Sequence, residues 1–399
     1  MNPLPSTSSE PVPRSASIDL LERLIAFASV SLQPNVGLIE HVEQLLAAAG
    51  IRSVRAPDPD DARRTNLFAS TGPEGVPGVL LSGHTDVVPV EGQPWTSPPF
   101  EATNREGRIY GRGTADMKGF VACAVTAMLA AAGRPLKRPL QLALSFDEEI
   151  GCVGVRHLLR KLEGVLPAPQ LCIVGEPTLM RIGTGHKGKA AYRALCCGQA
   201  GHSGLAPRFV NAVHMAADLV AALRDVQREL AETGPREAGY GVPYSTVHVG
   251  TVHGGRALNI VPDSAELRFE IRTVSEDRPE AILQRVLERL RSRVAAEAVH
   301  ADAPLPDIQL ANSYPSLNTS EDAPAVGLLT RLLPPGTPCT KVDYGSEGGL
   351  FQRSWQSTPV LVCGPGSIEV AHKADEYVEV SQLDACDRML AGLVDFLCE

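Results

Sequence analysis

The sequence lacks three features that would indicate an unusual environment or partner. Its nine cysteines include no CxxC pair, so neither a cysteine metal site nor a disulfide framework is predicted, and reduced thiols in a cytoplasmic protein are expected. No basic run occurs and the net charge is −9, which argues against a nucleic-acid partner because phosphates need a basic face. No run approaches the roughly 18 consecutive apolar residues of a membrane span, so no membrane association is expected.

The remaining composition is that of an ordinary soluble protein. The chain has 399 residues, of which 44% are hydrophobic and 21% are charged, and this length suffices for two domains. Residues 1–15 are rich in Pro and Ser and have no apolar core segment, so they are predicted to be a disordered N-terminal extension.

The order of elements predicts an α/β domain interrupted by a second, smaller domain. Apolar strands alternate with helices in 16–186, which indicates a mostly parallel sheet. Residues 187–313 follow the order β-α-β-β-α-β, which is the ferredoxin-like plan of an inserted domain. Residues 314–399 resume the first domain. The catalytic domain is therefore predicted to comprise 16–186 and 314–399.

Acidic and histidine residues occur in short motifs, several of them directly after apolar strands. They are His84 and Asp86 in LSGHTDVVP, Asp116 in GRGTADMKG, Glu148 and Glu149 in LSFDEEIG, Glu176 in VGEPT, and His372 in AHKADE. A side chain at the carboxyl end of a parallel strand faces the crevice where open α/β sheets bind ligands. Two imidazoles and several carboxylates there suit a pair of divalent metals, most simply Zn²⁺, and such pairs hydrolyse substrates.

Each motif also has a structural interpretation. A histidine in an apolar strand is often structural, Asp116 could be the N-cap of the next helix, and Glu176 could be a loop residue. Consecutive carboxylates after LQLALSF, however, repel one another unless cations neutralise them. One of Glu148 and Glu149 can then ligate metal while its neighbour transfers protons.

Three residues of the inserted domain are further candidates. His202, in a GHS segment before a helix, could stabilise an oxyanion or could cap that helix. Asn259 and Arg272 could contact substrate, since an arginine grips a carboxylate bidentately, or could be structural.

In order along the chain, these motifs resemble those of a known family from about residue 17 to the C-terminus. HTDVVP, GRGTADMKG, DEE, GEPT, GHS, NIVP and HKADE resemble the dinuclear-zinc amidohydrolases that include acetylornithine deacetylase, succinyl-diaminopimelate desuccinylase, aminoacylase and glutamate carboxypeptidases. Longer segments, such as LSGHTDVVPVEGQPW, GTVHGGRALNIVP and VCGPGSIEVAHKADE, most resemble the acetylornithine deacetylases within that family.

The resemblance implies a role for each matched residue. His84 and Glu176 would hold one ion and Glu149 and His372 the other, with Asp116 bridging the two. Glu148 would be the general base and acid, Asp86 would orient His84, and Asn259 and Arg272 would contact substrate. His202 would reach the partner's active site, because dimeric members of the family use a lid histidine in this way.

The expected function is zinc-dependent hydrolysis of N²-acetyl-L-ornithine to L-ornithine and acetate, a step of arginine biosynthesis, by a cytoplasmic homodimer acting on a small N-acyl amino acid. Co²⁺ is an alternative to Zn²⁺. Another deacylase, a desuccinylase or a dipeptidase is the enzymatic alternative. The non-enzymatic alternative is a silenced metal-dependent binding protein, although neither Glu148 nor any ligand is missing. Glu347, in GSEGG, could meet a substrate ammonium or cap a helix.

Overall fold

The computed structural model describes residues 15–296 and 304–399. Most of the predicted N-terminal extension lies outside the described residues, but Ser15 already belongs to the fold, since its hydroxyl caps the first helix by accepting from the Ser17 N–H. The helices are α1 (Ala16–Ile25), α2 (Val36–Ala48), α3 (Gly119–Ala131), α4 (Gly154–Leu162), α5 (Ala212–Thr233), α6 (Pro279–Ala296), α7 (Pro324–Leu332), α8 (Gly348–Ser354) and α9 (Val380–Cys398). The strands are β1 (Ser53–Pro57), β2 (Thr65–Thr71), β3 (Val79–His84), β4 (Thr103–Arg105), β5 (Arg108–Tyr110), β6 (Leu140–Ser145), β7 (Leu171–Val174), β8 (Ile182–His186), β9 (Gly188–Cys197), β10 (Gly201–His202), β11 (Thr246–Gly254), β12 (Ile260–Val261), β13 (Ser264–Thr273), β14 (Asp307–Tyr314), β15 (Leu317–Asn318), β16 (Cys339–Val342), β17 (Val360–Val362) and β18 (Tyr377–Glu379).

The larger sheet has a parallel centre, as predicted. Its strand order is β1-β2-β6-β3-β7-β17-β8-β15, with β16 also paired to β8. The strands β6, β3, β7 and β17 run parallel, while β2 is antiparallel to β6 on one side and β8 is antiparallel to β17 on the other. Every residue of β3, β6 and β7 is buried, which accounts for the predominance of apolar residues in these strands.

Helices cover both faces of this sheet. One apolar core joins the sheet to α1, α2, α3, α7 and α9, and a second core on the other face joins it to α4 and α8. The stretch Thr114–Ala131, which contains α3, is long and apolar enough to cross a membrane, although Asp116 and Lys118 interrupt its apolar run. However, 83% of it is buried inside the protein, as expected of a core helix.

The inserted ferredoxin-like unit is confirmed as a second, four-stranded antiparallel sheet. Its strand order is β11-β13-β9-β14, and α5 and α6 pack on one face around a separate apolar core. In chain order these elements are β9, α5, β11, β13, α6 and β14, which is the predicted β-α-β-β-α-β plan.

A small third sheet ties the C-terminal loop to the middle of the chain. Strand β18 pairs with β5, which also pairs with β4. Because β18 begins five residues after His372, this pairing returns the histidine to the edge of the large sheet.

Candidate metal centre

Three adjacent parallel strands deliver the first site residues to one place. His84 is the last residue of β3, Glu149 follows the end of β6 by four residues, and Glu176 follows the end of β7 by two. Because β6, β3 and β7 are neighbours in the sheet, their carboxyl ends meet at a common edge. Asp116 reaches this edge from the turn before α3.

Asp116 lies between the two predicted histidines. Its Oδ1 is 3.0 Å from Nε2 of His84, and its Oδ2 is 3.2 Å from Nε2 of His372. Nε2 of His372 is also 3.0 Å from Oε1 of Glu149, and Nε2 of His84 is 4.0 Å from Oε1 of Glu176. Each imidazole thus has one oxygen of Asp116 and one glutamate beside it.

These donors fit divalent metal ions. Two sets of three residues each have their ligand atoms within 4.8 Å of one another. One set is His84, Asp116 and Glu149, and the other is His84, Glu148 and Glu176. Ligands about 2.1 Å from a tetrahedral ion lie roughly 3.4 Å apart. The distances of 3.0 and 3.2 Å between the Asp116 oxygens and the two imidazoles are close to this spacing. Glu148 lies within the same distance range of His84 and Glu176 as the predicted ligands do.

Burial and mutual repulsion dominate the electrostatics of the site. Burial raises the pKa of Glu148 to about 8 and that of Glu149 to about 7, and the charges of neighbouring carboxylates contribute to both shifts. Burial and the charge of Asp116 also raise the pKa of Glu176 well above its usual value. Hydrogen bonds with Asp116 and Glu149 raise the pKa of His372 to about 10. A bound cation removes this repulsion and favours ionised carboxylates and neutral imidazoles.

Asp86 contacts both His84 and the turn that carries Glu148 and Glu149. Nδ1 of His84 is 2.9 Å from the backbone carbonyl of Asp86 but 3.6 Å from its carboxylate, so the carbonyl orients the ring. The carboxylate instead accepts from the backbone N–H groups of Glu148 (3.0 Å) and Glu149 (3.3 Å) and from the hydroxyl of Ser31 (2.8 Å). Asp86 therefore contacts His84 chiefly through its carbonyl, and its carboxylate anchors the turn that carries both glutamates.

The three consecutive acids after β6 have separate environments. Asp147 points away from the site, where its carboxylate accepts from Arg64 and from the backbone N–H of Leu32, both at 2.7 Å. Glu148 is half-buried, and its Oε1 lies 3.1 Å from the thiol of Cys152, which donates to it. Repulsion among the three carboxylates is thus reduced because one of them is paired.

Sequence reasoning missed a buried pair that holds the turn of Asp116. The carboxylate of Glu376 accepts from the Arg112 guanidinium (2.7 Å) and from the backbone N–H groups of Gly113, Ala115 and Asp116 (3.0, 2.9 and 3.1 Å). Glu376 is the last residue of HKADE and Arg112 lies in GRGTADMKG, so the motifs contained the signal although their pairing was not inferred.

The site opens into a cavity of about 450 Å³, a size typical of small-molecule sites. Arg272 lines it, as expected of a substrate contact, and so do Lys189, Tyr314 and Asp343, which sequence reasoning did not single out. Glu347 does not line it: the side chain is 1% exposed, and Oε2 accepts from the Ser82 hydroxyl at 3.2 Å. Glu347 precedes α8, but its side chain makes no capping hydrogen bond there.

The structure does not bring His202 and Asn259 to the cavity of their own chain. Both are exposed on the inserted unit, beside the small pairing of β10 with β12. Nδ1 of His202 accepts from the Gly204 N–H at 3.0 Å, which is the predicted helix-cap arrangement, and the Asn259 carbonyl accepts from the Ser203 N–H at 3.1 Å.

Comparisons with known proteins agree with this fold. Residues 80–395 match the model of peptidase family M20/M25/M40. The chain is similar to the acetylornithine deacetylase of Pasteurella multocida, with 32% identity over 373 residues that cover 92% of each protein.

Two solved structures share its fold. One is an M20 family metallo-carboxypeptidase of Sulfolobus solfataricus, with a TM-score of 0.76, 19% identity, and coverage of 96% of this chain and 100% of the other. The other is a dinuclear metal binding peptidase of the M20 family from Bacillus subtilis, with a TM-score of 0.65, 18% identity, and coverage of 95% of this chain and 97% of the other.

Fold and site together define a metallohydrolase that acts on amides. The chain belongs to peptidase family M20/M25/M40.

Proposed function

We propose that this protein is a two-zinc deacetylase that hydrolyses N²-acetyl-L-ornithine to L-ornithine and acetate. The observation that carries the hydrolytic part is the position of Asp116, with one carboxylate oxygen about 3 Å from each of two imidazoles. The deacetylase part is supported by the names of the curated relatives, which are about one-third identical over nearly the whole chain.

The side chains suit two divalent ions in the arrangement that the family resemblance implies. His84 and Glu176 would hold one ion, Glu149 and His372 the other, and Asp116 both. When bound, such ions polarise an amide carbonyl and lower the pKa of water. Zinc suits the mixture of imidazole and carboxylate, and Co²⁺ can occupy the same kind of site.

Glu148 is the group proposed to move protons. Its carboxylate is half-buried at the mouth of the cavity, and the thiol of Cys152 and the anchored turn restrict its position. It would accept a proton from the attacking water and donate it to the leaving nitrogen, so that one residue serves both halves of the reaction.

Arg272 and His202 would contact the α-carboxylate and the developing oxyanion of the substrate, respectively. The Arg272 guanidinium lines the cavity and can pair with the substrate's α-carboxylate. His202 is remote from its own cavity, so its proposed contact with the developing oxyanion requires a partner subunit. Residues 187–313 would then form the lid and dimerisation domain on a catalytic domain of 16–186 and 314–399. Asn259, exposed next to His202, would contact substrate from the same side.

The proposed setting is a cytoplasmic homodimer that takes part in arginine biosynthesis. The described part of the chain exposes its apolar side chains singly or in small groups, and α3 is buried in the core. A peptidase is the second candidate, because the solved structures of the same fold include peptidases.

A substrate panel tests the proposal. The zinc-loaded protein would be assayed with N²-acetyl-L-ornithine, N-succinyl-L,L-diaminopimelate and several dipeptides, by detecting the released amine. The proposal expects the highest kcat/KM with the acetyl compound. It also expects the Glu148→Ala variant to lose about 10²–10⁴-fold in activity on that compound. A higher value with a dipeptide or the succinyl compound would replace the deacetylase assignment while keeping the hydrolase one.

A further inference from the structure

One wall of the cavity is formed by a row of side chains on the four-stranded sheet. Lys189 on β9 lies directly opposite Arg272 on β13 and Tyr314 on β14. Residues in register on antiparallel strands project from the same face, and all three line the cavity. The row therefore presents two cations and a phenol to the substrate.

The cations of this wall are only partly neutralised. Oε1 of Glu270 accepts from Nε of Arg272 at 2.9 Å, and Nζ of Lys189 lies 3.8 Å from Oε2 of the same carboxylate. One carboxylate serves two cations, so the wall keeps a net positive charge. A substrate carboxylate is the complementary group.

A second wall carries the opposite charge. The loop between β16 and α8 contributes Asp343, Tyr344 and Gly345 to the same cavity, and Asp343 is exposed there. Within residues 15–296 and 304–399, no cation comes within ion-pair distance of its carboxylate. The ammonium of Lys187, whose pKa is lowered by burial, donates instead to the Tyr244 carbonyl at 2.7 Å. Asp343 is thus an unpaired anion beside the site.

We infer that Asp343 binds the side-chain ammonium of the substrate and thereby selects N-acyl amino acids with a cationic side chain. This inference rests on the proposed hydrolysis of an N-acyl amino acid. Arg272 and Lys189 take the α-carboxylate, while Ile368 and Tyr344, also in the cavity wall, offer apolar surface to the methylenes between the charges. Glu347, the sequence-based candidate for this role, is buried away from the cavity, whereas Asp343 is four residues earlier and faces it.

The test compares two substrates that differ in one group. N-acetyl-L-norleucine has a methyl group where N²-acetyl-L-ornithine has its ammonium. In the zinc-loaded full-length protein, Asp343→Asn should lower kcat/KM for the ornithine compound about 10-fold or more, mainly through KM, since a charged hydrogen bond is lost. The value for the norleucine compound should stay within about twofold. Asp322→Asn is the matched control, because Asp322 is exposed and does not line the cavity.

Two outcomes overturn the inference. An equal loss on both substrates would show that Asp343 has a structural role, and no loss on either would show that it makes no contact. If the wild-type protein hydrolyses neither compound, the proposed function fails, and Asp343 is judged separately by calorimetric binding of L-ornithine and L-norleucine. Retained preference for L-ornithine in Asp343→Asn would then reject the inference, and its loss would support it.

Discussion

Replacing Asp116 by Asn tests the centre of the metal site, because this side chain is the one that faces both imidazoles. Each carboxylate oxygen lies 3.0–3.2 Å from one Nε2, so the loss of its charge should weaken both ion positions together. Removing even an indirect partner of a metal ligand costs about 10–100-fold in affinity. Removing the charge of a direct ligand that two ions share should lower the affinity for each ion by at least about 100-fold, or about 2.7 kcal/mol per ion.

Metal content at controlled free zinc measures this effect. Wild-type and Asp116→Asn proteins would be dialysed against a series of zinc buffers and analysed by elemental analysis, with circular dichroism as a check on folding. Asp343→Asn is the matched control, since it removes the same charge from the same cavity without touching an imidazole. Two ions retained at wild-type affinity, or the loss of one with the other unaffected, would refute the bridging role.

Three further predictions concern assembly, electrostatics and packing. Mixing inactive His202→Ala and Glu148→Ala subunits should restore part of the activity if His202 acts across a dimer, and no recovery in mixtures shown to exchange subunits would reject that role. In the chelated protein, the pKa of Glu148 is about 8 and that of Glu149 is about 7, both above the ordinary value of 4.5. From about pH 4.5 to about pH 8, the folded state therefore binds more protons than the unfolded chain. Its Tm should therefore fall from pH 5 to pH 8, and added Zn²⁺ should raise the Tm most at pH 8; a flat or rising Tm of the chelated protein would contradict this. The Gly175→Ala substitution should lower the free energy of unfolding by about 1–3 kcal/mol and the Tm by several degrees, because the new Cβ would lie 1.8 Å from the Phe120 ring. An unchanged Tm would show that the ring moves freely.

The strand-end part of the site could be predicted because it depends on local pattern and on one rule of topology. The apolar runs that became β3, β6 and β7 are each followed within a few residues by His84, Glu149 or Glu176. Parallel neighbours then bring these residues together without any further information. The ferredoxin-like order was predictable for a similar reason, since β9 and β13 alternate in burial and the helix α5 is amphipathic.

Other features depend on contacts that local pattern does not contain. Strand β8 escaped prediction because Gly183 and Gly185 interrupt its apolar pattern, and both are needed where Val362 and the Leu317 carbonyl approach closely. The carboxylate of Asp86 bonds a turn more than 60 residues away, so its partners were not visible from the HTD motif.

The positions of Glu347 and Asp343 relative to the cavity are likewise set by tertiary packing. Both acids lie in one short loop, and the sequence singled out Glu347, whose side chain is buried, and not Asp343, which lines the cavity. Packing of the loop against β3 buries Glu347 beside Ser82 and leaves Asp343 on the cavity wall.

The most direct test of the whole account is a paired measurement on Glu148→Gln: its zinc content and its turnover of N²-acetyl-L-ornithine. The account predicts two ions per chain and a loss in kcat of about 10²–10⁴-fold, because the proton carrier is removed while the ligands remain. A loss of zinc would show that Glu148 is a ligand, as its distance to His84 and Glu176 would allow. Turnover within tenfold of the wild type, with both ions bound, would contradict its role in proton transfer.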